Sequence, residues 1–567
     1  MRRHTFALSW GRKIFFGFGW IFISLMALCY LQSMIIPQTT VGWIYYLSTF
    51  VGHYGLMTAI LYFVFYVPVI WLMPSYYLAR FWSLFLILVG GLYVLFDSIV
   101  FNQYRYHLNG FILDLIFSGT KSDVINVPAI SYVMLVVGVI VFSLIFWLRG
   151  ERVWRVMQGR FSNPNKNWYL VLIIFALIVS NSLHIYGKAS GTRSITALAQ
   201  LFPMHFPASA NKLLEGKVEV AQNSSGKRMD DFYYPSKGLE CQGEDNKNIL
   251  MIVLDGWDES KLDSFVTPEI SHLTKHATTF DNHYSGGLSK QGSLFSLFYS
   301  LPATYWGIAQ DTSKSPALVD QLLKRSYDTG VFSSTSLTDP ALDKTVFSKI
   351  PQLTVASDEN VQARNKNTYQ NWKSWLKTHQ ETNEEQPFFS FVMFDTNAVA
   401  DETYNDRQLA LNDVDALVGE VLNELYLKKL NSETIVIVTA NQAKSPSAKV
   451  PMLVVWPDRK ATHSEKLTSH YDVVPTLMQE LWSCHNKVET YSYGQNLFKP
   501  EVKDWLLVAD EGEYDILDFN TNLITQINPL GSYSVKNFNL EDQPKVEARE
   551  DLVFSVLKDL IRFTKKK

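Results

Sequence analysis

Three runs of apolar residues each end on a side chain able to bind or carry charge. "NILMIVLD" closes on Asp255, "PFFSFVMFD" on Asp395, and "TIVIVTAN" on Asn441. Each run is short and rich in β-branched and aromatic residues, as a strand covered on both faces should be. Two carboxylates and an amide at neighbouring strand ends could hold a cation or orient a polar headgroup. The third end is the poorest. From Thr439 to Pro451 the chain offers Asn441, Gln442, Lys444, Lys449 and serines, with no histidine and no carboxylate.

Those ends meet only if their strands share a sheet. "TPEISHLTKHATTF", "PALVDQLLKRSYDTGVFSS" and "ALNDVDALVGEVLNELYLKKLNSETIVIVTA" alternate amphipathic helix with short strand. The predicted fold of this half is therefore α/β, with a mostly parallel central sheet and helices on both faces. In such a sheet the ligand crevice lies beyond the carboxyl ends of the strands.

The other half is different. The 567 residues are 47% hydrophobic and 14% aromatic, but the apolar residues crowd into the first 190. A net charge of −3 gives no footprint for nucleic acid. Five runs are long enough to be transmembrane α-helices: Ile14–Ile36, Ile44–Met73, Phe81–Phe101, Val127–Leu148 and Trp168–Gly187. No small-residue cleavage site follows the first, which reads as an anchor. Arg2, Arg3, Arg12 and Lys13, then Arg80, then Arg149, Arg152, Arg155, Arg160 and Lys166 all fall on one side. The positive-inside rule makes that side cytoplasmic, and an odd number of spans sends the rest of the chain to the far side. The expected domains are 1–187 in the membrane, 188–245 as an interfacial segment and linker, and 246–567 as the α/β domain, with a C-terminal subregion from about 500. Cys29, Cys241 and Cys484 are too few for a disulfide framework, although the last two could pair outside the cytoplasm.

Charges at membrane depth need a reason. His53 lies within the second span and Asp97 near the outward end of the third. An interhelical hydrogen bond for His53 and a carboxylate reaching the interface for Asp97 account for them more simply than an ion path, since no span repeats the charge. Just outside the fifth span, Lys188 and Arg193 precede Ile195, Leu198, Leu201 and Phe202. Basic groups beside an apolar surface suit an anionic lipid headgroup. A bridge packed on protein would have the same composition. In the cytoplasmic loop, Arg149, Arg152, Trp154, Arg155 and Arg160 form a candidate surface for a protein partner or for anionic lipid, beyond their part in fixing orientation.

Taken in order, "NILMIVLDGWDES", "TPEISHLTKHATTFDNHYSGG", "LVDQLLKRSYDTGVFS", "TIVIVTANQ", "VPMLVVWP", "SHYDVVPTLMQELW" and "YGQNLF" resemble the alkaline-phosphatase/sulfatase superfamily over residues 248–498. Each motif is degenerate, and their order is the specific signal. With the membrane spans and "GSLFSLFYSLPATYW", the whole chain resembles the YejM/PbgA family of Gram-negative inner-membrane proteins. The resemblance implies a far-side, sulfatase-like periplasmic domain.

It also implies what catalysis would need: a divalent metal, a hydroxyl nucleophile and an adjacent Asp-His ligand pair. Ser289 occupies the nucleophile loop "YSGGLSKQGSLF", Asp255 the first metal position, and His283 lies close by in sequence. Where active members read Thr-Ala-Asp-His-Gly, this chain reads Thr439-Ala440-Asn441-Gln442-Ala443. An amide brings no anionic field and shuttles no proton. Ser289, Asp255 and His283 are thus vestigial candidates, and Asp255 and Asp395 weak metal candidates. No cofactor is expected. The resemblance implies a non-catalytic regulator that senses lipopolysaccharide or another anionic phospholipid and acts through an inner-membrane regulatory protein. Two alternatives stay open: a metal-dependent phosphatase or headgroup transferase with a Ser nucleophile, and cardiolipin binding or transport.

Overall fold

The structure is a computed structural model. It describes residues 2–33, 37, 39–104, 107–108, 113, 129–159, 168–189, 195, 197–208, 232–243, 246–257, 264–358, 360–396, 404–441, 448–499, 501, 503–510, 513–528, 533–543, 546 and 548–564. The chain divides into two compact units, Met1–Arg228 and Met229–Lys567.

In the first unit, four helical stretches among the described residues are long and apolar enough to cross a membrane: His4–Gln32, Thr40–Leu72, Tyr76–Asn102 and Trp168–Gly187. The remaining expected span, Val127–Leu148, begins outside the described residues and overlaps helix Ala129–Gly159. The second stretch widens into a π-turn at Leu61–Tyr66, just before Pro68. Proline has no N–H and its ring crowds the carbonyl four residues back, so the helix makes room there. Gly52 and Gly55 let this stretch meet the last one closely: a Cβ on Gly55 would lie 2.5 Å from Ile173 Cγ1. Small residues at such a crossing substitute close packing for the hydrophobic drive that lipid removes. Thr49 and Ser180 hydroxyls bond across the same seam at 2.6 Å.

The second unit holds an eight-stranded sheet of β1 (Asn248–Asp255), β2 (Thr278–Tyr284), β3 (Asp328–Ser333), β4 (Gln352–Val355), β5 (Phe388–Asp395), β6 (Thr434–Ala440), β7 (Met452–Val455) and β8 (Thr462–Ser469). The spatial order is β4-β3-β5-β1-β6-β7-β2-β8. All pairings are parallel except those of β7, which runs against both β6 and β2. Every residue of β1, β5 and β6 is buried. Successive β1 side chains feed different layers: Ile249, Met251 and Val253 one, Leu250, Ile252 and Leu254 the other. That is why the run reads as continuously apolar and does not alternate.

The expected C-terminal subregion is a four-stranded antiparallel sheet, β9 (Trp505–Ala509) to β12 (Tyr533–Asn537), followed by helix Glu550–Asp559. The expected linker needs correction. Phe232 and Tyr234 are buried in the core of this unit, and Cys241 forms a disulfide with Cys484. The polar look of the segment hid a few anchors that tie it down.

Candidate functional site

The parallel register brings the expected strand ends together. Asp255 on β1 stands opposite Asp395 on β5. One residue past β6, Asn441 donates its backbone N–H to the Leu254 carbonyl, at 3.2 Å. Three chemistry-bearing side chains therefore share one rim of the sheet. All are buried.

Their partners decide what the rim can do. Asp395 Oδ2 accepts from Arg364 at 3.2 Å, and Asn365 brackets its backbone with bonds of 2.8 and 2.9 Å. The Asp255 carbonyl takes the Thr396 N–H and hydroxyl. Among the described residues, Asn441 gives its amide N–H only to the Met393 sulfur, at 3.8 Å, and its buried Oδ1 has no partner. Lys290 reaches across to Thr335 Oγ1 at 2.6 Å and to the Ser336 carbonyl at 2.7 Å. Burial pulls its pKa down, while the Asp255, Asp395 and Asp339 carboxylates pull it back up.

Ser289 caps helix Lys290–Tyr299, its Oγ accepting from Gly292 N at 3.0 Å. The same hydroxyl donates to Asp510 Oδ1 at 2.5 Å. Asp510 follows β9 and also accepts from the backbone N–H groups of Leu288 and Ser289, each at 3.3 Å. The approach demands glycine at 292, where a Cβ would come within 2.1 Å of Asp510 Oδ1. A capping serine and a carboxylate at a helix N-terminus make a satisfied structural joint.

The donor set does not suit the divalent ion that the fold's active members use. Among the described residues, no three His, Cys, Asp or Glu side chains gather into a metal-holding group. Arg364 already pairs with Asp395, and the Asp255 and Asp395 carboxylates favour the charged form of Lys290. His283 is no reserve ligand. It lies on β2, bonds Thr468 Oγ1 at 3.0 Å, and packs 5.3 Å from the ring of His470. Burial, with His470 beside it, drives its pKa well below the usual histidine value. His470, held by Ser293 and Thr439 hydroxyls at 3.2 Å, is pushed down to about 3 by burial.

Residues 247–481 match the sulfatase family model, and residues 2–241 match a domain of unknown function, DUF3413. Over 587 aligned positions the chain is 25% identical to the inner membrane protein YejM of Salmonella typhimurium, spanning 98% of this chain and 97% of that one. The chain is thus similar along nearly its whole length to inner membrane proteins of the YejM type, with a sulfatase-model match in its second half. An uncharacterized protein of Haemophilus influenzae is 24% identical over 531 positions, covering 88% of this chain and 87% of its own. Of solved structures, an alkaline phosphatase superfamily protein from Vibrio parahaemolyticus matches with a TM-score of 0.49 and 15% identity, over 60% of this chain and 95% of that one.

Elsewhere in the chain the structure redraws several expected sites. Leu198 and Phe202 are not a lipid-facing surface: they are buried with Tyr30, Tyr45, Tyr46 and Tyr54. Lys188 lies in the last turn of helix Trp168–Ala189, but its side chain, like all of Arg193, Arg160 and Gln442, is outside the described residues. The expected basic loop is helical to Gly159. Arg149, Arg152 and Arg155 are exposed on it, whereas Trp154 packs edge-on against Phe6, Trp10 and Tyr76. Arg80 is likewise no loop residue; it is buried in helix Tyr76–Tyr104, paired with Glu151 and bonded to the Trp147 carbonyl at 2.7 Å.

The two polar groups at membrane depth have packing partners. Asp97 accepts from the Tyr30 hydroxyl and the Leu108 N–H, and pairs with His107 at 2.6 Å. His53 packs against Tyr54, Phe202 and His205. Sequence reading missed Arg364 and Asp510 as rim residues. Asp510 did carry a signal, since "WLLVAD" ends in an acid just as "NILMIVLD" does. Arg364 carried none.

Proposed function

We propose that this chain is a non-catalytic, membrane-anchored sulfatase-fold protein that senses lipopolysaccharide, or another anionic lipid, at the outer leaflet of the inner membrane. It passes that state to an inner-membrane protein partner that controls lipopolysaccharide synthesis and so outer-membrane integrity. One observation carries the non-catalytic part. The strand-end rim holds an uncharged Asn441 where active members place an acidic metal ligand, and its Asp395 is paired with Arg364. The Cys241–Cys484 disulfide supports a periplasmic position for the sulfatase domain, because such bonds persist in oxidising compartments.

Lipid contact falls to the segment after the last span. With Leu198 and Phe202 buried, its apolar contribution comes from Met204 and Phe206, which are 62% and 70% exposed. Lys188 and Arg193 supply the charge, and a basic group near a membrane contributes about 1 kcal/mol toward an anionic headgroup. The exposed guanidinium groups of Arg149, Arg152 and Arg155 supply a surface for the partner.

The test is lipopolysaccharide binding by the detergent-solubilised full chain. Lys188→Ala combined with Arg193→Ala should weaken it about tenfold or more. Unchanged affinity in that variant, with affinity lost when the Asn441–Lys449 loop is altered, would move the sensor to the sheet rim. Tighter binding of cardiolipin than of lipopolysaccharide would change the lipid named. Reversing Arg152 and Arg155 at unchanged topology should reduce capture of the partner, and undiminished capture would leave those residues only an anchoring role.

A further inference from the structure

His107 is bonded at both ring nitrogens. Nδ1 lies 2.6 Å from Asp97 Oδ2, and Nε2 lies 2.9 Å from the Gln200 carbonyl oxygen. A carbonyl oxygen only accepts, so Nε2 carries a hydrogen. Asp97 already accepts from the Tyr30 hydroxyl and the Leu108 N–H, and its contact with Nδ1 needs one hydrogen more. Whether that hydrogen rides on the ring or on the carboxyl group, the pair holds one proton more than a carboxylate beside a neutral imidazole. The proton joins three parts of the first unit: Asp97 on helix Tyr76–Tyr104, His107 just beyond its end, and Gln200 in the short helix Ala197–Leu201. The last carbonyls of such a helix have no partner within it, and His107 caps one of them.

Removing the proton leaves two acceptors and a single N–H. A neutral ring donates from Nδ1 to Asp97 or from Nε2 to Gln200, not from both. Asp97 is fully buried, whereas Gln200 is exposed. A buried carboxylate against a bare ring nitrogen costs far more than a backbone carbonyl returned to solvent. Asp97 therefore keeps the N–H, and Gln200 lets go. Among the described residues, His107 is the ion-pair partner of Asp97. The other titratable groups around the pair are Tyr30, bonded to Asp97, with Tyr54 and Tyr93 within electrostatic reach of that carboxylate. His53, from the second stretch, is within reach of His107 and packs on His205. Arg105 lies outside the described residues.

We propose that Asp97 and His107 form a proton-binding site whose proton latches the segment after the last span, at Gln200, to the rest of the membrane unit. The latch stands apart from the lipid reading. Its use, to steady the exposed Met204 and Phe206 against lipid, rests on that reading.

The sample is the full chain in detergent, with Cys29→Ser to remove the free cysteine and Gln200→Cys to carry a spin label. The second substitution leaves the carbonyl at position 200 in place. Electron paramagnetic resonance compares label mobility at about pH 5 and about pH 8, which bracket the ordinary charge change of histidine. The ratio of mobile to immobile label should rise about fivefold or more at the higher pH, for one charge-assisted hydrogen bond lost. His107→Gln cannot titrate and should give the same ratio at both values. Asp97→Asn should keep the label immobile at both, because its amide N–H donates to Nδ1 of a neutral ring whose Nε2–H stays on Gln200. A wild-type ratio that ignores pH overturns the proposal. So does a change that persists in His107→Gln, which would belong to another group such as His53 or His205, or one that persists in Asp97→Asn. If Asp97→Asn cannot be isolated, the wild type and His107→Gln decide between them. Lipopolysaccharide binding at the same two pH values separates the two readings. Binding that ignores pH while the label responds keeps the latch and removes the lipid role of the segment; a label that ignores pH removes the latch whatever binding does.

Discussion

The middle of the central sheet and its carboxyl rim obey different rules. In the middle, β1, β5 and β6 are buried along their whole length, and their alternate residues fill two apolar layers. At the rim, where the same strands end, the side chains are polar, and Asp395 takes its partner Arg364 from helix Val361–Thr382. The middle sets stability through packing. The rim sets chemistry through charge. The two are separable, so a fold can keep its sheet while its rim carries the uncharged Asn441.

The largest effect should come from the middle. Phe391 is fully buried and lies 5.4 Å from the ring of Phe298 and 5.2 Å from that of Phe347. Phe391→Ala should cost about 3–5 kcal/mol, by lost transfer energy plus the cavity left behind. Chemical or thermal unfolding of the full chain reads it. A loss under about 1 kcal/mol would mean that the sheet centre is not the stabilising layer.

The buried histidines behind the rim give the next effect. His470 is held down to about 3 in the folded chain, against an ordinary 6.5. As pH falls below 6.5 the unfolded chain takes up a proton that the folded chain refuses. The associated stability is complete above that value and is lost toward the folded pKa, by about 1.4 kcal/mol per pH unit. Asp515 tilts the other way, since burial raises it to about 6 and acidification there favours the fold. The wild-type slope is therefore compared with that of His470→Gln between pH 4 and 6, as a difference. The variant should have lost about 1.4 kcal/mol per pH unit of acid sensitivity. Identical slopes would show that His470 titrates alike in both states.

Asn441 should give the smallest effect. Its Oδ1 has no partner among the described residues, so Asn441→Ala removes a buried polar group with little to lose and should stay within about 1 kcal/mol of the wild type. A loss as large as that of Phe391→Ala would make the rim part of the core and erase the distinction drawn here.

What was legible in the sequence follows the same division. Asp255, Asp395 and Asn441 were readable because each ends a run whose period and length announce a buried strand. Parallel pairing then had to bring the ends together. Arg364 was not readable, because nothing in the local pattern ties it to Asp395, 31 residues on; the Cys241–Cys484 bond, which spans 243 residues, could be raised only as a possibility. Local pattern carries no record of such pairing. Leu198 and Phe202 misled for another reason. Beside a membrane, an apolar residue looks the same whether it meets lipid or, as here, a cluster of tyrosines. Trp154 misled likewise, its neighbouring arginines suggesting a surface while its ring sits among other aromatics.

The central claim is that the rim is a joint and not a reaction centre. Turnover tests it most directly: purified full-length protein, a generic phosphate ester and lipid substrates, with and without magnesium, manganese or zinc. Wild type, Ser289→Ala and Asp255→Ala should be indistinguishable, with no metal-dependent hydrolysis or headgroup transfer in any of them. Metal-dependent turnover in the wild type that disappears in both variants would contradict the account and make Ser289 a nucleophile and Asp255 a metal ligand.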